Sequence, residues 1–131
     1  MKNLSVFILV FVILVIGDMR IAHAGQFDIA VLQGLDKVTA RVSTFKAAID
    51  ETINFGTLKI TVRICNKRPP EETPESAAFV EIFEKRPGES PVGVYSGWMF
   101  ASSPALAAME HPVYDVWVID CINKKIDLLP K

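Results

Sequence analysis

The run over residues 57–65 alternates without a break: Leu58, Ile60, Val62 and Ile64 on one side, Thr57, Lys59, Thr61, Arg63 and Cys65 on the other. A period of two belongs to a strand with one buried face, and a helix cannot satisfy it. The chain must therefore supply this strand with neighbours in a sheet, and with a second layer over its apolar face. Cys65 closes the run on the polar side, which places any bridge from it outside the main core.

The flanking segments read as partners of the same kind. Residues 26–32 suit a short first strand, and residues 34–37 a turn. Residues 38–45 alternate again, with Val38, Ala40 and Val42 opposed to Thr39, Arg41 and Ser43, as a half-buried strand does. Residues 46–54 fit a helical turn or a continued strand equally well. A reversal follows at Phe55, Gly56 and Thr57, where glycine is free to take a positive φ. Pro69, Pro70 and Pro74 favour extended backbone without ladder bonds, so residues 66–76 read as a rigid, charged surface loop.

Residues 77–84 and 92–100 frame Arg86, Pro87, Gly88 and Glu89, whose proline and glycine suit a type II turn between hairpin strands. Ser103 as N-cap and Pro104 at the first helical position start a short helix over residues 105–110, with Leu106 and Met109 facing the core. Pro112 ends it. Residues 113–122 are apolar on both faces, like a central strand, and Ile126, Leu128 and Leu129 suit a short edge strand in the tail. About five or six strands with one short helix make the expected fold mainly β, a small antiparallel sandwich or barrel.

The first residues address the compartment. Lys2 precedes an apolar run over residues 4–16, broken only by Ser5, and Ala22, His23 and Ala24 form a small-x-small site. This is the pattern of a signal peptide, residues 1–24, cleaved after Ala24 to leave residues 25–131 as one β-rich domain. The apolar run falls short of the ~20 residues of a spanning helix, so no stable membrane span is expected after cleavage. The destination is periplasmic or secreted. There an oxidising milieu favours a structural disulfide between Cys65 and Cys121 over free thiols, and the absence of Cys-x-x-Cys disfavours a redox pair. The bridge would close a loop of about 56 residues and, in the chain-entropy model, stabilise the fold by ~4 kcal/mol. A net charge of −1 offers no basic face for nucleic acid.

Of the two histidines, only His111 lies outside the leader. With Ser102 or Ser103 and Asp115 it supplies the residue types of nucleophile, base and orienter. A histidine in the last turn of a helix also favours the helix dipole for no catalytic reason, and that structural role is the preferred reading. Glu71, Glu72 and Glu75 are oxygen ligands of the right kind for a hard cation. Their spacing is nevertheless unlike a calcium loop, so with Arg68 they read as a solvated binding loop. Too few soft ligands remain for zinc and no glycine pattern cradles phosphate, so neither metal nor cofactor is expected. Strand parity puts Trp98 and Trp117 with the core and leaves Tyr95 and Tyr114 as exposed contacts. Ser103, Glu110 and His111 make up the polar junction around the helix.

Phe55 to Ile60 with Val62 to Cys65, Arg68 to Glu75 with Ala77 to Phe79, Ser96 to Pro104 and Glu110 to Cys121 together resemble a family of exported bacterial proteins, domain of unknown function 2155. The resemblance covers about residues 35–121. It implies a leader and a cysteine at each of the two matching positions, and it implies no mechanism. The function expected is a non-enzymatic envelope module that binds another envelope protein through the proline loop or an adjoining sheet edge. The alternatives are a small exported hydrolase using His111 with Ser102 or Ser103, and an inhibitor of an envelope hydrolase.

Overall fold

In the computed structural model, which describes residues 25–124, the alternating run forms the greater part of the longest strand. The order is β1 (Gly25–Gln26), β2 (Ile29–Asp36), β3 (Arg41–Ala48), β4 (Thr52–Phe55), β5 (Leu58–Lys67), β6 (Ser76–Glu84), β7 (Val92–Phe100), a 3-10 turn (Pro104–Ala107) and β8 (Tyr114–Ile122). Every pairing is antiparallel. One sheet runs β5-β6-β7, with β1 and β4 sharing the outer edge of β5; the other runs β3-β2-β8. The expected leader and C-terminal edge strand lie outside the described residues. Among the described residues, no helix is long and apolar enough to cross a membrane.

The two sheets close over one core, in which Leu58, Ile60, Val62, Val80 and Ile82 from the first meet Ala30, Leu32, Val116 and Val118 from the second. The disulfide Cys65–Cys121, Cα atoms 5.7 Å apart, ties β5 to β8 and so joins the sheets covalently. Of the two expected architectures the sandwich is the one formed, with more strands than expected.

A β-bulge corrects the reading of Cys65. Val62 pairs with Val80, but Ile64 pairs with the next residue, Phe79, so Arg63 is the extra residue. The strand changes parity there. Cys65 turns into the core beside Val62, fully buried, while Ile64 moves to the outer face and is half-buried. The bridge therefore crosses the interior.

The first hairpin is also displaced. Its reversal occupies residues 37–40, where the Asp36 carboxylate accepts the N–H groups of Val38 at 2.9 Å and Thr39 at 3.2 Å. Val38 sits at the tip, 78% exposed, not on a buried face. Gly34 lies inside β2, because a Cβ there would meet the Phe55 ring at 2.7 Å. Residues 46–54 resolve as the end of β3, a reversal with Asp50 at φ 65°, and β4. The turns at Gly56 (φ 58°) and Gly88 (φ 75°) stand where expected, and Glu89 N–H donates to the Arg86 carbonyl at 3.1 Å.

The expected helix is only a 3-10 turn. Ser103 makes no side-chain cap, Ala108 is already extended, and Leu106 is 80% exposed; Met109 alone reaches the core. So short a segment between Pro104 and Pro112 cannot repay helix nucleation.

Candidate functional site

His111 sits on the extended lead-in to β8, not on a helix, and is 7% exposed. Its Nδ1 accepts the N–H groups of Val113 and Tyr114, both at 3.1 Å. A doubly accepting Nδ1 carries no proton, so the neutral ring bears its hydrogen on Nε2. Nε2 lies 3.2 Å from Glu84 Oε1, out of line for a good hydrogen bond. The same oxygen accepts from Thr57 Oγ1 at 3.1 Å and Arg86 Nε at 3.0 Å. Burial pushes the Glu84 carboxyl up, but donation from Arg86 and Thr57, with the His111 Nε2–H close by, outweighs it and holds the group below the ordinary range.

Tyr114 stacks on the His111 ring at 5.4 Å and meets Phe55 edge-on at 5.3 Å. Its hydroxyl fills the space a Cβ on Gly56 would need. Lys37 Nζ donates to the His111 carbonyl at 2.8 Å and pairs with Asp115 at 3.0 Å. The nucleophile, base and orienter set is thus dispersed. Asp115 serves Lys37, backbone donors occupy the nitrogen an orienting carboxylate would need, and the Ser102 hydroxyl donates to Glu75. Ser103 gives its carbonyl to the Leu106 N–H, and Glu110 is exposed.

Glu75 is an anchor. Its Oε1 accepts the N–H of Ser76 at 3.0 Å and of Ser102 at 3.1 Å, while Oε2 takes the Ser102 hydroxyl. That hydroxyl, with the backbone donors and nearby Arg68, outweighs desolvation and holds the carboxyl below its usual range. The loop end is thereby fastened to the connection that follows β7. Glu71 and Glu72 stay exposed, and among the described residues no group of three or more His, Cys, Asp or Glu could hold a metal ion.

The proline loop is folded back rather than extended. Arg68 N–H donates to the Glu75 carbonyl at 3.0 Å, and Glu72 N–H to the Pro69 carbonyl at 3.1 Å. It borders a cavity of about 460 Å³ lined by Phe27, Pro69, Pro70 and Pro74 together with Lys67, Arg68 and Glu72. Lys67 pairs with Asp120 at 2.7 Å across the two sheets, next to the disulfide. Phe27 and Lys67 were not readable as site residues, because only the pairing of β1 with the end of β5 brings Phe27 to the loop.

The aromatic assignments invert on β7. Tyr95, Gly97 and Met99 pair with Ile82, Val80 and Ala78 and face inward, which leaves Trp98 39% exposed on the outer face. Trp98 meets Phe79 edge-on at 5.7 Å. Tyr95 packs against the core and its hydroxyl donates to the Trp98 carbonyl at 3.0 Å. Trp117 is half-buried, donating Nε1–H to Gln33 at 3.2 Å, and Tyr114 is half-buried in the His111 corner. The bulge between Ile82 and Phe83 lies near the start of β7 and is silent in the residue pattern.

A family profile described as an uncharacterized protein conserved in bacteria (DUF2155) matches residues 30–121, a span that holds both cysteines and the whole proline loop. An uncharacterized protein of Rickettsia prowazekii (strain Madrid E) is 31% identical over 87 residues, covering 66% of this chain and 56% of that relative. The chain thus spans little more than half the length of the relative it matches. No solved structure matches.

Proposed function

Starting from the family of uncharacterized bacterial proteins (DUF2155) to which the chain belongs, we propose that it is an exported cell-envelope module that acts by binding another envelope protein. The observation that carries this reading is the cavity of about 460 Å³ beside the proline loop. Its apolar walls are Phe27, Pro69, Pro70 and Pro74, and Arg68 supplies a cation among them. Proline fixes φ, the bond from Arg68 to Glu75 closes the loop on itself, and the Glu75–Ser102 contact fastens it to the connection after β7. Little ordering cost is left for binding to meet. The fitting partner segment is short and apolar with an acidic neighbour for Arg68. The cross-sheet disulfide suits an oxidising compartment, and the signal-peptide pattern of residues 1–24 supplies the route there.

A photocrosslinking residue at Pro70, expressed in the native cell, tests the reading. A discrete adduct is expected in the envelope fraction, lost on Arg68→Glu or Phe27→Asp and absent when the probe sits at Thr39 on the far hairpin. Adducts identical at positions 70 and 39 would overturn it. Export is checked by the mass of the isolated protein, expected to begin at Gly25; an intact leader on a cytosolic protein would remove the envelope from the proposal.

A further inference from the structure

The sandwich guards its edges unequally. The outer edge of β5 is covered by β1 and β4, and the gap between them is sealed where Asp50 N–H donates to the Val62 carbonyl and Phe27 N–H to the Cys65 carbonyl, both at 2.9 Å. β8 runs beside residues 104–109, which share a small cavity with Asp115, Val116 and Trp117. β3 carries Arg41 and Lys46. Among the described residues β7 forms the opposite edge of the larger sheet, and from Val92 to Phe100 it contains neither a charged residue nor a proline. Natural sheets blunt such edges with charge, proline or bulges. Here the register shift touches only the start of the strand, and Tyr95 to Phe100 run regularly.

We propose that this edge is an interface with a second copy of the chain, β7 pairing antiparallel with β7 so that the sheet continues across a two-fold axis. Ala101 N–H donates to the Ser76 carbonyl at 2.8 Å, and antiparallel alternation then turns the N–H and C=O groups of Ser96 and Trp98 away from β6, while the Phe100 carbonyl on that side is taken by the Ser103 N–H at 3.2 Å. The Tyr95 hydroxyl reaches the Trp98 carbonyl from that side, and the carbonyl's second lone pair remains for a partner strand. A two-fold centred on Gly97 sets Ser96 opposite Trp98 of the other copy, small against large, and exchanges two hydrogen bonds at each such pair. The Phe79–Trp98 contact then continues into its own symmetry mate on the outer face. An isologous contact brings each side chain close to its own copy, so like charges would meet; a strand without charge is what such pairing requires.

The test uses the exported protein with its disulfide intact. Sedimentation across a micromolar concentration range is expected to show a dimer. Ser96→Lys sets two lysines diagonally across the paired strands and should weaken association by up to about fivefold, with an unchanged near-ultraviolet circular dichroism spectrum. Thr44→Lys on the β3 edge should leave the dimer as it is. Hydrogen exchange should show the Ser96 and Trp98 amides protected in the dimer and exposed in the Ser96→Lys protein. A monomer throughout, a dimer indifferent to Ser96→Lys, or edge amides protected by a segment of a different protein would each overturn the proposal. None of these results bears on the cavity beside the proline loop.

Discussion

The two ends of the sandwich are held by different chemistry. At one, the Cys65–Cys121 bridge and the Lys67–Asp120 pair join the sheets, and Ser76 Oγ reaches Asp120 at 3.4 Å. At the other nothing covalent exists; Tyr114 fills the space over Gly56, and His111 satisfies two N–H donors at the entrance to β8. Both ends spend polar groups on backbone N–H donors, Glu75 at one and His111 at the other, but the bridged end carries a folded loop with a cavity of about 460 Å³ and the histidine end a smaller one of about 190 Å³ beside Phe55, Gly56 and Tyr114. A cross-link constrains the chain without occupying polar groups, so the end it secures can leave a surface unfilled. The end secured by side-chain packing leaves less space unfilled.

Cutting the bridge is the largest perturbation and the most direct way to break the comparison. Cys65→Ala with Cys121→Ala should cost ~4 kcal/mol through the denatured chain's regained freedom, before any packing loss. Denaturant unfolding of the oxidised, reduced and substituted proteins measures it. A loss no larger than that from His111→Ala would show that the two ends are equally secured.

His111→Ala comes next. It strips the acceptor from the N–H groups of Val113 and Tyr114 and opens space under the Tyr114 ring, a loss of about 2–3 kcal/mol. Asparagine at position 111 keeps a side-chain acceptor near the Nδ1 position and should recover part of the loss. Equal stability of the alanine and asparagine proteins would refute the acceptor role. Loss of partner crosslinking at Pro70 in a folded His111→Ala protein would erase the division between the ends.

Much of the frame was readable from the residues. The alternation of β5, the turns at Gly56 and Gly88, the rival sandwich and barrel and the pairing of two cysteines all follow from local period, turn chemistry and compartment. What escaped reading depends on register. One extra residue at Arg63 reverses the face on which Cys65 falls, and no residue type announces it, since a bulge is defined by the strand opposite. The same holds at β7, where strand parity alone puts Trp98 inward and Tyr95 outward and the pairing with β6 reverses them. Gly34 looked like a turn residue because glycine serves turns and close contacts alike, and the Phe55 ring decides between them. The cavity needed Phe27 and Pro70 together, residues that a strand pairing joins and sequence distance separates.

The smallest expected effect sharpens the comparison through acid. Both ends hold a carboxyl below its usual range, Glu75 chiefly through the Ser102 hydroxyl and Glu84 through Arg86 and Thr57 working against burial. A lowered folded pKa means that the unfolded chain takes up protons more readily. The stability each group contributes is therefore present above the unfolded value of 4.5 and disappears as pH falls through the lower folded value. Ser102→Ala should flatten the acid dependence arising at the loop end while leaving stability at neutral pH changed by about 1 kcal/mol or less. Thr57→Val should do the same at the histidine end. Unfolding midpoints between neutrality and pH ~3 measure both slopes, and hydrogen exchange assigns them. If Ser102→Ala alters exchange around Glu84 as strongly as around Glu75, the ends are coupled through the sheets, and the division drawn between them fails at its weakest link.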